Sequence, residues 1–333
     1  MKMKTLAVAV AALACGSQAF AAEVYNSDGT SLSIGGHVSV GVGEYFEEEV
    51  KVHQVSPRIN IGGKKDIGNG VTIDAKGEWS LNYLNGGDNS FSTRLGYIGA
   101  THDQYGRLVV GTQWSPYYDV AGVADMPIAF ANDFLYENHY NLGSGRAEKM
   151  VSYRKGLDFG DGFGLNIGLG WQGEQSIYDQ RGQIALSTEL AGFGLGYVYS
   201  GGDIELVSKS ESATSHMFSA KYGQYGAGIY AALVYGMNEY FYDNLEETSQ
   251  YEAVLAYGLD NGLNLIAHYE SVEDDKNDKT QYSNMSVQAE YTVTPAFVTF
   301  AAYRFGLGDD VDPAPGDLDL DEDFWTLGAR YYF

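Results

Sequence analysis

The chain has 333 residues and is strongly acidic, with 44 Asp and Glu against 20 Lys and Arg and a formal net charge of −24. This charge argues against nucleic acid as a partner, because nucleic-acid binders present a basic surface. Beyond the N-terminus there is no apolar run of the roughly 20 residues that a membrane-spanning helix needs, so such a helix is excluded. A membrane β-barrel is not excluded, because its strands carry lipid-facing residues only at every second position.

The first 21 residues have the organisation of a secretory signal peptide. A basic start is followed by an apolar run at residues 6–14 and by the small-x-small cleavage site Ala19-Phe20-Ala21. Cleavage there would make Ala22 the first mature residue. It would remove two of the 20 basic residues and none of the 44 acidic ones, so the net charge would become −26.

Cys15, the only cysteine of the chain, lies within this segment and would be removed with it. The mature protein would therefore have no disulfide, although it enters an oxidising compartment. The alternative for Cys15 is lipidation. A lipobox usually has leucine three residues before its cysteine, and here that residue is Ala12.

Alternation with a period of two dominates the mature chain. Leu32, Val38 and Val42 share one face of the first segment, whereas His37 and Ser39 share the other. This pattern is typical of a strand with one apolar face. About sixteen such segments are predicted, at residues 31–46, 53–66, 70–84, 90–101, 105–114, 147–157, 163–172, 180–191, 193–201, 215–224, 227–237, 248–259, 263–271, 281–293, 296–306 and 323–333. Bacterial membrane barrels have an even number of strands in this range.

The connections between these segments alternate between short and long. Short ones at residues 66–70, 260–262 and 294–295 carry hairpin turn residues, whereas long ones are expected at 201–214 and 307–321. Short turns on one rim and long loops on the other are typical of an outer-membrane barrel. Closure of such a barrel pairs every backbone hydrogen-bonding group. No domain boundary is visible, so residues 22–333 are predicted to form one barrel.

The stretch Trp114–Arg146 is the longest run that shows neither a strand nor a helix pattern. Connections of this length are normally functional or disordered. Its Tyr, Phe and Met content argues against disorder. We expect a loop at about residues 115–146 that folds into the lumen and narrows it.

Four segments resemble sequences of the Gram-negative general porins. They are AEVYNSDGTSLSIGGH at residues 22–37, YYDVAGVADMPIAF at 117–130, GRAEKMVSYR at 145–154 and RYYF at 330–333. They resemble the mature start, the constriction loop, the strand after that loop and the closing strand, respectively. The resemblance covers the whole mature chain and implies an all-β fold, a transmembrane 16-stranded antiparallel β-barrel whose third loop folds inward.

The resemblance also implies a location and a function. We expect a multi-pass protein of the cell outer membrane that forms a homotrimer and contacts lipid and lipopolysaccharide. Each barrel would be a water-filled channel for passive diffusion of small hydrophilic solutes and ions, with neither a cofactor nor an enzymatic activity. The family's second loop latches onto the neighbouring subunit. Here it is the short segment 85–89, so we expect a weaker latch.

The family's constriction loop presents acidic residues to the pore. By motif, the first of these is Asp125, whereas the second position holds Ala129. Either the loop is less acidic than is usual in the family, or Asp133, Asp119 or Glu137 replaces the missing carboxylate.

The opposite wall of the family's pore carries a ladder of basic residues. By motif, these are Arg58, Arg94 and Arg146, and a fourth position that is usually lysine holds His37. Strand parity independently points Arg58, Arg94 and His37 inward, since a charge on the lipid face costs about 2–4 kcal/mol at the bilayer midplane. A typical histidine is mostly neutral at pH 7. Compared with the family pattern, the loop loses one negative charge at Ala129 and the wall loses one positive charge at His37. The local balance is nearly unchanged while the whole chain is acidic, so we predict a moderate cation preference.

Three other interpretations compete with this one. An outer-membrane hydrolase would place an acid–His pair on a rim, and His102-Asp103 is the nearest candidate, although on a predicted short turn. A structural or adhesive barrel is a second alternative. The alternating acids at 317–323 could bind Ca²⁺, but they lack the glycine and the final acid of an EF-hand loop, so a solvated acidic loop is favoured. External acids could still bind divalent cations that bridge lipopolysaccharide.

Overall fold

The computed structural model describes residues 21–47, 49–84, 91–132, 134–160, 162–242, 245–311 and 321–333. Within these residues the strands are β1 Ala22–Ser27, β2 Thr30–Glu44, β3 Lys51–Gln54, β4 Arg58–Gly68, β5 Val71–Leu81, β6 Phe91–His102, β7 Gly106–Trp114, β8 Arg146–Asp158, β9 Gly164–Gln172, β10 Tyr178–Leu190, β11 Phe193–Leu206, β12 Lys209–Gln224, β13 Ala227–Glu239, β14 Glu247–Gly258, β15 Leu263–Asp274, β16 Lys279–Thr294, β17 Phe297–Gly306 and β18 Phe324–Tyr332. The described helices are all too short or too polar to cross a membrane. The predicted signal peptide lies almost wholly outside the described residues, as do segment 85–89 and most of the acidic stretch 317–323.

These eighteen segments build sixteen strands of a closed antiparallel barrel. β3 and β4 lie end to end along one edge of β2, where they pair with residues 40–43 and 30–37. Along the other edge of β2, β1 and β18 are arranged in the same way, with partners at 30–34 and 37–44. The other segments pair in chain order, and the ring closes between β18 and β2. The predicted 16-stranded β-barrel is confirmed.

The two faces of the barrel wall follow the predicted alternation. On β2, Val38 is 39% exposed and Ser39 is 0% exposed; on β18, Leu327 is 52% exposed and Thr326 is 0% exposed. The exposed residues form an apolar outer face and the buried ones an inner face that is largely polar. This distribution suits lipid outside the barrel and water within it.

The interruption between β3 and β4 has a local cause. Pro57 has no backbone N–H, and Ser56 adopts a left-handed φ of 51°. Opposite this break, the Ser39 N–H donates to the Tyr83 hydroxyl at 3.0 Å, and that hydroxyl donates back to the Ser39 carbonyl at 2.5 Å. Val55 N–H donates to the same carbonyl at 3.1 Å. The backbone of Ser39 therefore stays paired, as the bilayer interior requires.

The predicted long loop at residues 201–214 is wrong. β11 and β12 continue through it as a hairpin whose turn is Val207 and Ser208. The two strands have 14 and 16 residues, more than the roughly 9–11 that a tilted strand needs to span a bilayer. Their ends can therefore carry the Ser, Glu and Asp side chains that resembled loop sequence.

Residues 115–145, which connect β7 to β8 and are called the long loop below, contain more regular structure than their sequence pattern indicated. They form helix α1 at Pro116–Ala121, a 3-10 helix at Phe134–Tyr136 and helix α2 at His139–Leu142. Ser115 caps α1, since its hydroxyl accepts the Tyr118 N–H at 3.1 Å. A serine followed by proline is a common helix start, so α1 could have been predicted.

The main apolar core lies inside the barrel, between the long loop and the wall from β10 to β16. Tyr117 and Leu135 of the loop are each 1% exposed, and Met217 and Val254 of the wall are 0% and 3% exposed. The Tyr117 hydroxyl also hydrogen bonds to the Ser215 hydroxyl at 2.9 Å. The loop is thereby packed against one side of the inner face.

Candidate functional site

Helix α1 approaches the barrel wall closely because the wall beneath it carries glycine. A Cβ added at Gly168 would lie 3.0 Å from Cβ of Pro116, and one added at Gly196 would lie 2.9 Å from Cγ1 of Val120. Asp119 of the same helix forms an ion pair with Arg154 of β8 at 2.5 Å. The first part of the long loop is therefore held by packing and by charge.

The middle of the long loop is held by hydrogen bonds to polar side chains of β16. The Ile128 N–H donates to Oε1 of Glu290 at 2.8 Å, and the Ala129 N–H donates to Oε1 of Gln288 at 3.3 Å. The carbonyl of Phe130 accepts from Ser286 Oγ and from Gln288 Nε2, both at 3.3 Å. The position where the family carries a second acid is thus occupied by Ala129 in a backbone anchor, with its side chain 2% exposed.

Asp125 lies between these two attachments. Its Oδ2 accepts hydrogen bonds from the hydroxyls of Tyr118, at 2.7 Å, and Tyr136. Burial raises the pKa of the Asp125 carboxyl, and the positive charges of Arg58 and Arg146 oppose that shift. Asp125 therefore lies within electrostatic reach of two of the three arginines that the sequence assigned to the opposite wall.

The wall arginines gather around Glu78 of β5, which is 1% exposed. Its carboxylate accepts from Nε of Arg94 at 3.0 Å and lies 3.3 Å from Nζ of Lys76 and 4.0 Å from Nη1 of Arg58. His37, the register partner of Arg58, is 2% exposed. The structure thus brings Arg58 of β4 and Arg94 of β6 together on either side of β5, with His37 of β2 beside Arg58.

Arg146, the first residue of β8, lies in an aromatic environment. Its guanidinium carbon is 5.4 Å from the ring centre of Trp114, 5.3 Å from that of Tyr136 and 5.4 Å from that of Tyr140. These are cation–π distances, and they fix the arginine beside the long loop.

His139 of α2 connects Arg146 to the loop backbone. Arg146 can only donate, so it donates to Nε2 of His139 at 3.1 Å, while Nδ1 donates to the carbonyl of Tyr136 at 2.6 Å. This pattern requires a neutral imidazole with its proton on Nδ1. Burial lowers the pKa of His139 to about 4, with the charge of Arg146 acting in the same direction.

Sequence reasoning missed three charged residues of this cluster, Arg330, Glu78 and Lys76. Arg330 of β18 donates to the Ser39 hydroxyl and to the Val55 carbonyl, both at 3.3 Å. The alternation of faces along β18 could have assigned Arg330 to the inner face, because its neighbours Ala329 and Tyr331 lie on the lipid-facing side of the strand. Its position extends the basic wall across the seam where the barrel closes.

The three replacements considered for the missing loop acid have different surroundings. The carboxylate of Asp119 is paired with Arg154. Glu137 accepts from Nδ2 of Asn138 at 3.0 Å and lines a small pocket beside Phe241 and Tyr242. Asp133 lies outside the described residues. The Asp125 carboxyl interacts electrostatically with Arg58 and Arg146, so it remains the loop acid assigned to the basic wall.

A closed ring of sixteen antiparallel strands with an apolar outer face defines a membrane-spanning β-barrel. The sequence model for the Gram-negative porins matches residues 7–333, and the chain belongs to this family. It is located in the bacterial outer membrane, which it crosses many times, and it is a porin channel.

Individual relatives agree with this assignment. The chain is 28% identical to outer membrane protein S2 of Salmonella typhi over an alignment of 394 positions that covers all of both chains. The fold is similar to that of Salmonella typhi OmpF, solved in complex with daunomycin, with a TM-score of 0.79, 21% identity and coverage of 94% of this chain and 100% of that one. It is also similar to the trimer form of OmpT of Vibrio cholerae, with a TM-score of 0.66, 16% identity and coverage of 92% and 100%.

Proposed function

We propose that the long loop narrows this porin to a constriction through which small hydrophilic solutes and ions diffuse passively, with a moderate preference for cations. One observation carries this proposal. The loop is attached to the inner face at α1 and again at Ile128–Phe130, and between these attachments the Asp125 carboxyl interacts electrostatically with Arg58 and Arg146. We therefore expect the loop to occupy part of the lumen.

Opposed charges across a water-filled gap produce a transverse electric field. Such a field orders water and favours polar, hydrated solutes over apolar ones, and rings of charge set ionic preference in channels generally. The apolar core fills the space between the loop and the wall from β10 to β16. We infer that the conducting path runs on the other side of the loop, on the side of the barrel that carries Arg58.

Two charge distributions act in opposite directions on a permeating ion. The guanidinium and carboxylate groups described at the proposed gap belong to Arg58, Arg94, Arg146, Arg330, Asp125 and Glu78. Taken alone, this set would favour anions. The whole chain carries a formal charge of −24, and a field of that sign concentrates cations at the channel mouths. We infer that the negative potential at the channel mouths determines the sign of the ion selectivity, and that the arginines at the gap keep the cation preference moderate.

Reversal potentials in planar bilayers under a KCl gradient test the selectivity. The expected result is a potential of the sign given by cation flow, and an anion-selective potential would contradict it. Liposome swelling with sugars of graded size tests the diffusion channel itself. We expect rates that fall steeply with solute size, and vesicles that fail to swell with any sugar would exclude the channel.

The remaining assignments are part of the same proposal. We infer a homotrimer that contacts outer-membrane lipid and lipopolysaccharide, binds no nucleic acid and acts without a cofactor or enzymatic chemistry. The trimer form of the similar OmpT structure supports the oligomeric state. Mass measurement of the detergent-extracted protein tests the trimer.

In the candidate hydrolase pair, Nδ1 of His102 accepts the Gln104 N–H at 3.0 Å in a short turn, which is a structural contact.

A further inference from the structure

Three side chains with metal-binding atoms meet on the inner face of β14 and β15. They are Glu252 of β14 and His268 and Glu270 of β15, whose ligand atoms all lie within 4.8 Å of one another. Nε2 of His268 is 2.9 Å from Oε1 of Glu252. Glu252 is 2% exposed, and His268 and Glu270 are each 1% exposed.

Strand register explains why these residues meet. Glu252 and Glu270 are direct partners across the β14–β15 pair, and His268 lies two residues from Glu270 on the same face. Like charges placed opposite each other on neighbouring strands destabilise a sheet. Two ionised carboxylates would carry a net charge of −1 even beside a protonated imidazole, so these three side chains are together suited to a divalent cation.

The donor set and its spacing fit a first-row transition metal. Zinc takes His nitrogen and Glu oxygen at about 2.0–2.2 Å, so two of its ligands lie about 3.4 Å apart in a tetrahedral site. Nε2 of His268 and Oε1 of Glu252 are 2.9 Å apart and all three ligand atoms lie within 4.8 Å of one another, so small side-chain movements would reach that spacing. An imidazole ligand favours zinc-like ions over Ca²⁺ or Mg²⁺, which prefer sites made of oxygen alone.

A neighbouring strand supplies the support that a metal ligand needs. Nδ2 of Asn284 on β16 donates to Oε1 of Glu270 at 2.9 Å, so the carboxylate is oriented by a second residue. Such outer contacts orient ligands and strengthen metal binding. Asn284 is 1% exposed and is the register partner of Glu270.

The cluster also lies between two attachments of the long loop. On β16, Ser286 pairs in register with His268 and donates to the Phe130 carbonyl at 3.3 Å. On β13, the Tyr230 hydroxyl donates to the Val123 carbonyl at 2.5 Å, and the charge of Glu252 acts on Tyr230. An ion bound here would connect β14 to β15 in the part of the wall that supports the loop.

We propose that Glu252, His268 and Glu270 bind one divalent transition-metal ion of the zinc type. The ion replaces the proton between His268 and Glu252, neutralises the facing carboxylates and joins β14 to β15. This site is separate from the proposed constriction, and its metal affinity does not depend on channel activity.

Metal titration of the full chain tests the site. The protein, extracted in detergent and stripped with EDTA, is titrated with Zn²⁺ by calorimetry, and Co²⁺ is added separately to record its visible absorption. We expect one Zn²⁺ per chain, a Co²⁺ absorption band and a higher Tm with metal. His268→Ala and Glu270→Gln should remove all three, and Asn284→Ala should weaken Zn²⁺ binding about tenfold.

A matched control comes from β12. His216 is half-buried on the opposite side of the wall from this cluster, where it contacts the Tyr197 hydroxyl, so His216→Ala should leave Zn²⁺ binding intact. The proposal is overturned if the wild-type protein gives neither the calorimetric signal nor the Co²⁺ band. It is equally overturned if His268→Ala, shown by circular dichroism to be folded, binds Zn²⁺ like the wild type. If that variant does not fold, the isosteric Glu270→Gln and the wild-type Co²⁺ spectrum decide.

Discussion

The Ile128 N–H donates a hydrogen bond of 2.8 Å to Oε1 of Glu290, which ties the middle of the long loop to the barrel wall. The same oxygen accepts the hydroxyl of Tyr225 at 3.1 Å. Glu290 is 9% exposed, so water can replace these bonds only in part. One wall carboxylate therefore holds a loop segment 162 residues away in sequence.

Replacing this carboxylate should release the loop. Glu290→Ala leaves the Ile128 N–H and the Tyr225 hydroxyl without their acceptor, at a cost of about 1–3 kcal/mol for a buried donor. We expect a lower Tm and a larger, noisier single-channel conductance in planar bilayers. Glu189→Ala, which removes an exposed carboxylate paired with Lys221, is the control and should leave conductance unchanged. Equal conductance in wild type and Glu290→Ala would show that the loop is held by other contacts.

Removing a wall charge should change ion selectivity. Arg58→Gln takes one positive charge from the proposed gap. A unit charge about 6 Å from a permeating ion contributes roughly 0.3 kcal/mol after screening by salt. Its removal favours a cation and disfavours an anion by that amount, a difference of about 0.6 kcal/mol, so the cation-to-anion permeability ratio should rise about threefold. Reversal potentials measure that ratio. Lys65→Gln removes the same charge at the exposed end of β4, where Nζ bonds to the Asp28 carbonyl. Equal shifts in the two variants would argue against a local role for Arg58.

Asp125 should make the cation preference depend on pH. Because burial raises its pKa, Asp125 loses its negative charge on acidification at a higher pH than an ordinary aspartate. Cation preference should therefore fall as the pH is lowered through that range. Asp125→Asn should start with the weaker preference and lack this part of the pH response. Asp66→Asn, near the exposed end of β4, controls for general acidity, and this variant should show the same pH response as the wild type. Parallel curves for wild type and Asp125→Asn would count against the assignment.

The glycine beneath helix α1 is a test of loop position. Gly196→Val places side-chain atoms where Val120 packs, since even a Cβ would come within 2.9 Å of it. Overpacking of this kind costs about 1–3 kcal/mol and should displace α1. We expect a reduced Tm and an altered conductance. Gly182→Val is the matched control, because a Cβ at Gly182 would meet no atom within 4 Å. If both variants behave alike, α1 does not depend on this close approach.

Much of the fold could be predicted because its main constraint is local. Alternation places Val38 outside and Ser39 inside whatever the neighbouring strands are, and the bilayer imposes the same rule on every strand. The hairpin at Val207 and Ser208 was missed for the opposite reason. Where a strand extends beyond the bilayer, its outward-facing residues need not be apolar. The alternation is then lost, and the polar strand residues resemble a loop.

The site was predictable only in part. Asp125 was assigned to the constriction from its motif, Arg58 and Arg94 were assigned to the wall from motif and parity, and Arg330 would have followed from parity alone. Their functional roles stay predictions. The grouping of Glu252 with His268 and Glu270 could not be read from the sequence, because a one-residue change of register would move Glu252 to the opposite face from His268 and Glu270.

The barrel closes through the pairing of β18 with β2, where the indole N–H of Trp325 donates to Glu44 across 281 residues of sequence at 3.2 Å. The other neighbouring strands follow one another in the chain and can pair before the C-terminal strand is available. The pairing of β18 with β2 requires both the N-terminal and the C-terminal part of the chain. Until it forms, the sheet has two unpaired edges, and such edges invite pairing with other chains. We therefore expect barrel closure to be a late, slow step of biogenesis, and we expect a chain truncated before Phe324 to aggregate or be degraded instead of forming a narrower channel.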